Sequence, residues 1–101
     1  MLEKDITAAI LRYLRSLPEC FCWKEHGGQY GTAGIPDIIC CYRGRFIGLE
    51  VKRPGNKLTR LQEVTLDRIR AALGEAHMVT SVAEARAVIE KIQKEDRCHD
   101  S

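Results

Sequence analysis

Long apolar runs are missing from this sequence of 101 residues. A helix needs about 20 consecutive apolar residues to cross a bilayer, so no segment is a candidate membrane span. The N-terminus also lacks the basic stretch and apolar core that mark a signal peptide. We therefore expect an intracellular protein with no membrane partner.

A large excess of one charge is also missing. The chain has 16 Lys and Arg against 14 Asp and Glu, for a net charge of +2. Total charge therefore does not indicate a nucleic-acid-binding protein. The distribution is uneven, because eight basic and only three acidic residues lie between Arg43 and Arg70. Such a run is usually a solvated surface, but a DNA-binding face has the same composition.

An even set of cysteines is missing as well, since the chain has five. An odd number in an intracellular protein argues against a disulfide framework. A zinc site built from Cys20, Cys22, Cys40 and Cys41, with His26 nearby, is an alternative. Because adjacent residues of a strand point to opposite faces, Cys40 and Cys41 cannot easily both bind one ion. We therefore expect buried strand thiols.

The pattern of apolar residues predicts one small α/β domain. Helices are expected over residues 2–17, 60–73 and 82–92, and strands over residues 21–24, 37–42, 45–51 and 77–80. Thr59 and Ser81 each begin a capping-box pattern, and Gly74 is expected to close the second helix. The order αβββαβα predicts a mixed sheet flanked by helices over residues 1–93, followed by a frayed polar tail over residues 94–101.

A glycine-rich stretch between residues 25 and 34 separates the first two predicted strands. Long loops in small domains are frequently functional. This loop carries His26, Gln29 and Tyr30. Their side chains are candidates for contacts with a phosphate or a base, although a lone histidine in such a loop is more often a plain surface residue.

Two acidic residues and a lysine mark the next two strands, which a turn at Arg43-Gly44 joins in an antiparallel hairpin. Side-chain alternation puts Glu50 and Lys52 on the face opposite to the apolar residues, beside Gly48, which leaves room there. Asp37 begins the first strand of the hairpin. If the strands pair, Asp37 and Glu50 converge on one cation, and oxygen ligands suit Mg²⁺. The alternative is a surface salt bridge of little energetic value.

Glu3 lies near the start of the first predicted helix, three residues before Ile6 and seven before Ile10. This spacing places it on the apolar stripe that faces inward. Two interpretations stay open. The carboxylate can stabilise the positive end of the helix dipole, or it can point at the sheet and its metal.

Together these features resemble the PD-(D/E)xK nuclease superfamily and, more closely, its VRR-NUC family. The similarity covers the chain to about Ile92. The residues that carry it are Glu3, Gly34-Ile35-Pro36-Asp37, Glu50-Val51-Lys52-Arg53-Pro54 and Gln62. The resemblance implies a restriction-endonuclease-like core and a Mg²⁺- or Mn²⁺-dependent endodeoxyribonuclease.

The same resemblance implies roles for individual residues. Asp37, Glu50, the Val51 carbonyl and Glu3 would hold the metal. Lys52 would orient or deprotonate the attacking water, and Gln62 would help to place water or phosphate. The basic residues near this site are candidates for contacts with the DNA backbone: Arg43, Arg45, Arg53, Lys57 and Arg60.

Stand-alone members of the family are similar in kind to Holliday-junction resolvases and are often encoded by phages and bacteria. The resemblance therefore implies a cytoplasmic homodimer that cuts four-way DNA junctions. Three alternatives stay open. The chain can be a flap or single-strand nuclease or a nickase of low selectivity, a DNA-binding module without activity, or a small zinc-stabilised interaction domain.

Overall fold

A computed structural model describes residues 1–26 and 32–99 of the chain. Its elements follow in the order αβββαβα, which confirms the predicted order and class. The helices and strands are α1 (Glu3–Arg15), β1 (Cys20–Lys24), β2 (Ile38–Tyr42), β3 (Arg45–Val51), α2 (Arg60–Ala71), β4 (Glu75–Val79) and α3 (Val82–His99). The predicted contacts of Gln29 and Tyr30 lie outside the described residues, and His26 is exposed.

The four strands form one mixed sheet in the order β1-β2-β3-β4. The first two pairings are antiparallel, and β3 pairs with β4 in parallel. Arg43 and Gly44 form the hairpin turn with φ values of 52° and 81°. A two-residue turn with positive φ at both positions matches the twist of the flanking strands. It sets the register that pairs Ile39 with Gly48.

The sheet buries its two faces against different helices. Ile38, Leu49 and Val51 belong to a core that includes apolar residues of α1 and α3. Helix α2 packs on the opposite face, where Ile69 approaches Gly48. We call this second side the α2 face; its strand residues are Phe21, Trp23, Ile39, Cys41, Phe46, Gly48, Glu50, Ala76 and Met78.

Two helix ends differ from the prediction. Helix α2 stops at Ala71, and Leu73 rather than Gly74 adopts the left-handed conformation, with φ 72°. The Gly74 N–H donates to the Ile69 carbonyl, which closes the helix in a Schellman motif. Leu73 carries the backbone strain of this conformation, and its side chain is 94% exposed.

Helix α3 continues to His99, so the predicted frayed tail from Lys94 is wrong over residues 94–99. The reason is an ion-pair cluster between the hairpin turn and the last turns of α3. Arg45 binds Glu95 and Asp96, and Arg43 binds Asp96 at 3.3 Å. These contacts join residues about fifty positions apart and hold the helix end against the sheet.

The segment before Asp37 is fixed by close packing against α2. Pro36 is fully buried, and a Cβ on Gly48 would lie 3.0 Å from Pro36 Cγ. The room beside Gly48 is therefore filled by Pro36 and Ile69. Gly34 has φ 83°, and a Cβ there would lie 2.7 Å from Thr65 Oγ1. Because neither glycine has a Cβ, the Pro36-Asp37 segment can pack closely between β3 and α2.

This packing predicts that Gly34→Ala destabilises the protein by about 2–4 kcal/mol, because overpacking adds to the left-handed backbone strain. Gly55→Ala is the matched control. Gly55 has φ 89° and open space around its Cα, so only the strain applies, at about 1–2 kcal/mol. Urea unfolding of the three proteins measures the difference. Equal losses in the two variants would contradict the role given to Gly34.

Candidate active site

Hydrogen bonds join Asp37 to both neighbouring strands. The Glu25 N–H donates to the Asp37 carbonyl at 2.7 Å, and the Val51 N–H donates to Asp37 Oδ2 at 2.8 Å. The Asp37 N–H in turn donates to Glu50 Oε2 at 3.3 Å. Asp37 therefore lies at the start of β2 with its carboxylate beside that of Glu50, as the sequence predicted.

Glu50 is a buried acid, with 3% of its surface exposed. Its pKa is raised to about 8, first by burial and then by the adjacent Asp37 carboxyl group. The Lys52 ammonium works in the opposite direction and lowers the pKa of Glu50. Two carboxylates in one site disfavour each other's ionisation, so a bound cation would allow both to be charged.

The donor set fits a hard divalent cation. One oxygen of each carboxylate accepts a backbone N–H, which leaves the second oxygen of Asp37 and of Glu50. No side-chain oxygen in the described part of the chain is both fully buried and without a hydrogen-bond partner. Mg²⁺ commonly takes one or two carboxylates and completes its shell with water and phosphate oxygens.

A larger ligand cluster is not formed within residues 1–26 and 32–99. There, no three His, Cys, Asp or Glu side chains are grouped so that they could hold a metal. Glu3 is half-buried at the first residue of α1, and its carboxylate makes no hydrogen bond or ion pair with a described residue. Helix α1 packs on the face opposite to Glu50. The structure thus brings together Asp37 and Glu50 but not Glu3.

Lys52 follows the last residue of β3 and is half-buried. Its N–H donates to the Val79 carbonyl at 3.0 Å, which extends the pairing of β3 with β4 by one residue. Strand alternation therefore directs its side chain to the same face as Glu50. The predicted carboxylate–lysine pair is positioned by regular sheet geometry.

Gln62 forms the predicted capping box at the start of α2. Its N–H donates to Thr59 Oγ1 at 3.2 Å, and its Oε1 accepts the Thr59 N–H at 2.9 Å. The side-chain amide of Gln62 thus has a complete structural role. Its amide nitrogen still has donors for a water or a phosphate.

The basic residues divide into two groups. Arg43 and Arg45 lie at the hairpin turn, separated from Asp37 by the five residues of β2, roughly 16 Å of strand. Their ion pairs with α3 and their distance argue against the prediction that they bind the DNA backbone. Arg53 and Lys57 are exposed beside the site and make no ion pair with any described residue. Arg60 has an exposed pair with Glu63 at 3.7 Å.

The exposure of each strand cysteine depends on the face of the sheet on which it lies. Cys22 and Cys40 are buried, and burial raises the pKa of both thiols. Cys20 is half-buried, with its Sγ 3.3 Å from that of Cys40. Cys41 is exposed because it lies on the α2 face beyond the edge of the helix, so the prediction of burial is wrong for this residue. Cys98 is also exposed, on α3.

Solved structures share this fold. One named VRR_NUC domain has a TM-score of 0.73 and 22% identity, covering 87% of this chain and 94% of that chain. A second, named VRR_NUC domain protein, has a TM-score of 0.67 and 15% identity, covering 89% of this chain and 86% of that chain. No protein-family model and no curated protein matches the sequence. The fold is therefore that of the VRR_NUC domain structures, as the motif residues suggested.

The helices give no sign of a membrane segment. None of the three, over the residues that are described, is both long and apolar enough to cross a bilayer.

The raised pKa of Glu50 predicts a specific pH dependence of stability. An ordinary glutamate ionises near 4.5, whereas folded Glu50 keeps its proton to about pH 8. The folded state therefore binds more protons between these values, so the free energy of unfolding of the metal-free protein falls as pH rises through this window. In the Glu50→Gln variant the side chain at position 50 cannot ionise, so its contribution to the pH dependence of the free energy of unfolding should be absent. Melting temperatures measured in EDTA from pH 5 to 9 give both slopes.

Saturating Mg²⁺ should flatten the wild-type slope and leave that of Glu50→Gln unchanged, because the cation neutralises the paired carboxylates. Parallel pH profiles for the two metal-free proteins would contradict the buried-acid account of Glu50.

Proposed function

We propose that this chain is a divalent-metal-dependent DNA endonuclease. The observation that carries the proposal is the carboxylate pair of half-buried Asp37 and buried Glu50 with Lys52 on the same sheet face, on a fold shared with VRR_NUC domains. A structural salt bridge needs only one acid opposite the lysine, whereas this site places two acids side by side. Such an arrangement is typical of a cation-binding site.

Asp37 and Glu50 would hold Mg²⁺ or Mn²⁺ through the carboxylate oxygens that accept no backbone N–H. The Val51 carbonyl at the end of β3 is proposed as a further ligand, and Glu3, which the structure leaves away from the pair, is proposed to act through water. A bound ion of this kind polarises the scissile phosphate and lowers the pKa of a water molecule. The protein keeps Asp37 Oδ2 and Glu50 Oε2 fixed on backbone N–H groups, so the two remaining oxygens have little freedom to move.

Lys52 would act on the reacting groups from the same face. Its ammonium can orient the attacking water and offset negative charge as it develops on the phosphate. In its neutral form the amine can accept the proton of that water. Gln62 would place a water or a phosphate oxygen with its amide nitrogen while Oε1 stays on the Thr59 N–H.

The segment after Glu50 would bind the DNA backbone. Residues 52–60 contain four basic residues and no acidic one: Lys52, Arg53, Lys57 and Arg60. Contacts of this type give affinity that falls steeply with salt and carries no sequence information. The exposed Arg53 and Lys57 are the best placed of the proposed contacts, because Arg60 also has Glu63 as a partner.

The proposed substrate is branched DNA. A four-way junction needs two symmetric cuts, and a two-fold homodimer would supply one active site for each strand. We accordingly propose a homodimer that acts on four-way junctions in the cytoplasm of a bacterial or phage-infected cell. The alternative within the same chemistry is cleavage of flaps or single strands.

Cleavage of labelled junction, flap, duplex and single-stranded DNA with Mg²⁺ and with Mn²⁺ tests the proposed function. Asp37→Asn, Glu50→Gln and Lys52→Ala should each lower the single-turnover rate by at least about 100-fold, because each removes a group that touches the reacting atoms. Lys57→Ala is the control, with weaker binding and a shallower salt dependence but an unchanged rate at saturating protein. Near-normal cleavage by any folded member of the first set would contradict the mechanism.

A metal titration of Glu3→Gln decides between the two interpretations of Glu3. A metal or water ligand should affect rate most at limiting Mg²⁺, with partial recovery in Mn²⁺, which binds such sites more tightly. We expect slower cleavage and an unchanged melting temperature. Asp5→Asn, in the same helical turn, should show the opposite pattern, since dipole and capping effects contribute about 0.3–1 kcal/mol to stability. A wild-type rate at every metal concentration would assign Glu3 to helix stability alone.

A further inference from the structure

Large aromatic residues are exposed on the α2 face of the sheet. Both phenylalanines of the chain and its only tryptophan lie there, with Phe21 69%, Trp23 40% and Phe46 45% exposed. Phe21 and Trp23 contact each other on the edge strand β1, with ring centroids 5.5 Å apart and ring planes tilted by 47°. Neither ring belongs to the buried core.

Strand pairing places Trp23 next to the candidate active site. Trp23 is opposite Ile39, and Asp37 lies two residues before Ile39 on the same face. Diagonal neighbours of this kind have Cα atoms about 7–8 Å apart, within reach of an aromatic side chain. Trp23 Nε1–H donates to Glu25 Oε2 at 2.9 Å, and the Glu25 N–H donates to the Asp37 carbonyl. The indole is therefore held toward the Asp37 end of the sheet.

We propose that Trp23, supported by Phe21, stacks on an unpaired nucleobase next to the phosphate that is cut. The inference rests on the proposed nuclease function and adds the part of the substrate that the site recognises. Every base offers a π face, and stacking on an aromatic side chain is largely independent of sequence. The basic segment after Glu50 would attract the adjoining backbone.

Stacking on Trp23 implies a preference for DNA that contains unpaired bases. Within a continuous duplex both faces of a base are covered by its neighbours, so Trp23 can stack only where a base is unpaired or displaced. The enzyme should therefore prefer flaps, splayed ends and opened branch points to intact duplex. Stacking beside Asp37 would also fix the position of the cut relative to the first unpaired base.

The exposed area favours a nucleobase over a second copy of the chain. An aromatic side chain buries about 150–250 Å² at most, so the contacting pair supplies about 300–500 Å². A stable protein interface needs about 800 Å² from each partner. Phe46 lies in the same cross-strand row as Phe21 but two strands away, with Cys41 between them, and it packs beside the Gly74 end of α2.

The sole tryptophan provides a direct probe. Wild-type protein in EDTA, which lacks the metal needed for cleavage, is titrated with oligothymidine, with a thymidine flap and with blunt duplex while Trp23 fluorescence is recorded. We expect strong quenching by the first two ligands and little by duplex. In anisotropy titrations of labelled flap DNA, Trp23→Ala should weaken binding about tenfold. Trp23→Phe should retain most of the affinity, and Phe46→Ala should leave it unchanged.

Separate outcomes test the two proposals. If the wild-type protein cuts flap DNA but flap and duplex leave Trp23 fluorescence equally unchanged, the stacking inference is wrong and the nuclease function stands. If Trp23→Ala instead converts a dimer to a monomer in sedimentation without weakening flap binding, the aromatic pair is a subunit contact and the inference is again wrong. If no DNA is bound or cut with either metal, the proposed function itself fails.

Discussion

The hydrogen bonds between the end of β3 and the start of β2 are the constraint on which the site depends. The Val51 N–H binds the Asp37 carboxylate, and the Asp37 N–H binds the Glu50 carboxylate. Two acids are thereby kept side by side, and burial together with the adjacent Asp37 carboxyl group raises the pKa of Glu50. Gly34, Gly48 and Pro36 pack against the start of β2 and fix its position. The carboxylate pair therefore opposes the stability of the metal-free protein, and we propose that a bound cation offsets this effect.

The two faces of the sheet differ in role: one face is buried against helices, and the other carries the candidate site. Helices α1 and α3 bury one face of the sheet, and ion pairs of Arg43 and Arg45 fasten the end of α3 far from the acids. Helix α2 packs against β3 and β4 on the other face. Among the described residues, the β1 side of this face carries exposed Phe21 and Trp23 beside Asp37. Substrate can therefore approach the acids from this side without disturbing the core.

Local patterns predicted the features that depend on local geometry. Side-chain alternation along β3 predicted that Glu50 and Lys52 share a face. The Arg43-Gly44 turn predicted the hairpin register, and the capping box at Thr59 predicted where α2 begins. Contacts between residues distant in sequence could not be predicted in this way. An inward stripe on α1 places Glu3 against the sheet but does not say which face α1 covers. Arg43 and Arg45 looked available for DNA because their partners, Glu95 and Asp96, lie in a segment that composition alone describes as a tail.

The central claim is that the Asp37–Glu50 pair holds a divalent cation, and calorimetric titration of Mn²⁺ into the protein at pH 8 tests it most directly. We expect one high-affinity ion per chain, with affinity that weakens between pH 8 and pH 6 because the metal competes with the proton on Glu50. Asp37→Asn and Glu50→Gln should abolish this binding, and Lys52→Ala should preserve it. Absence of binding by the wild-type protein, or unchanged binding by the folded Glu50→Gln variant, would contradict the account.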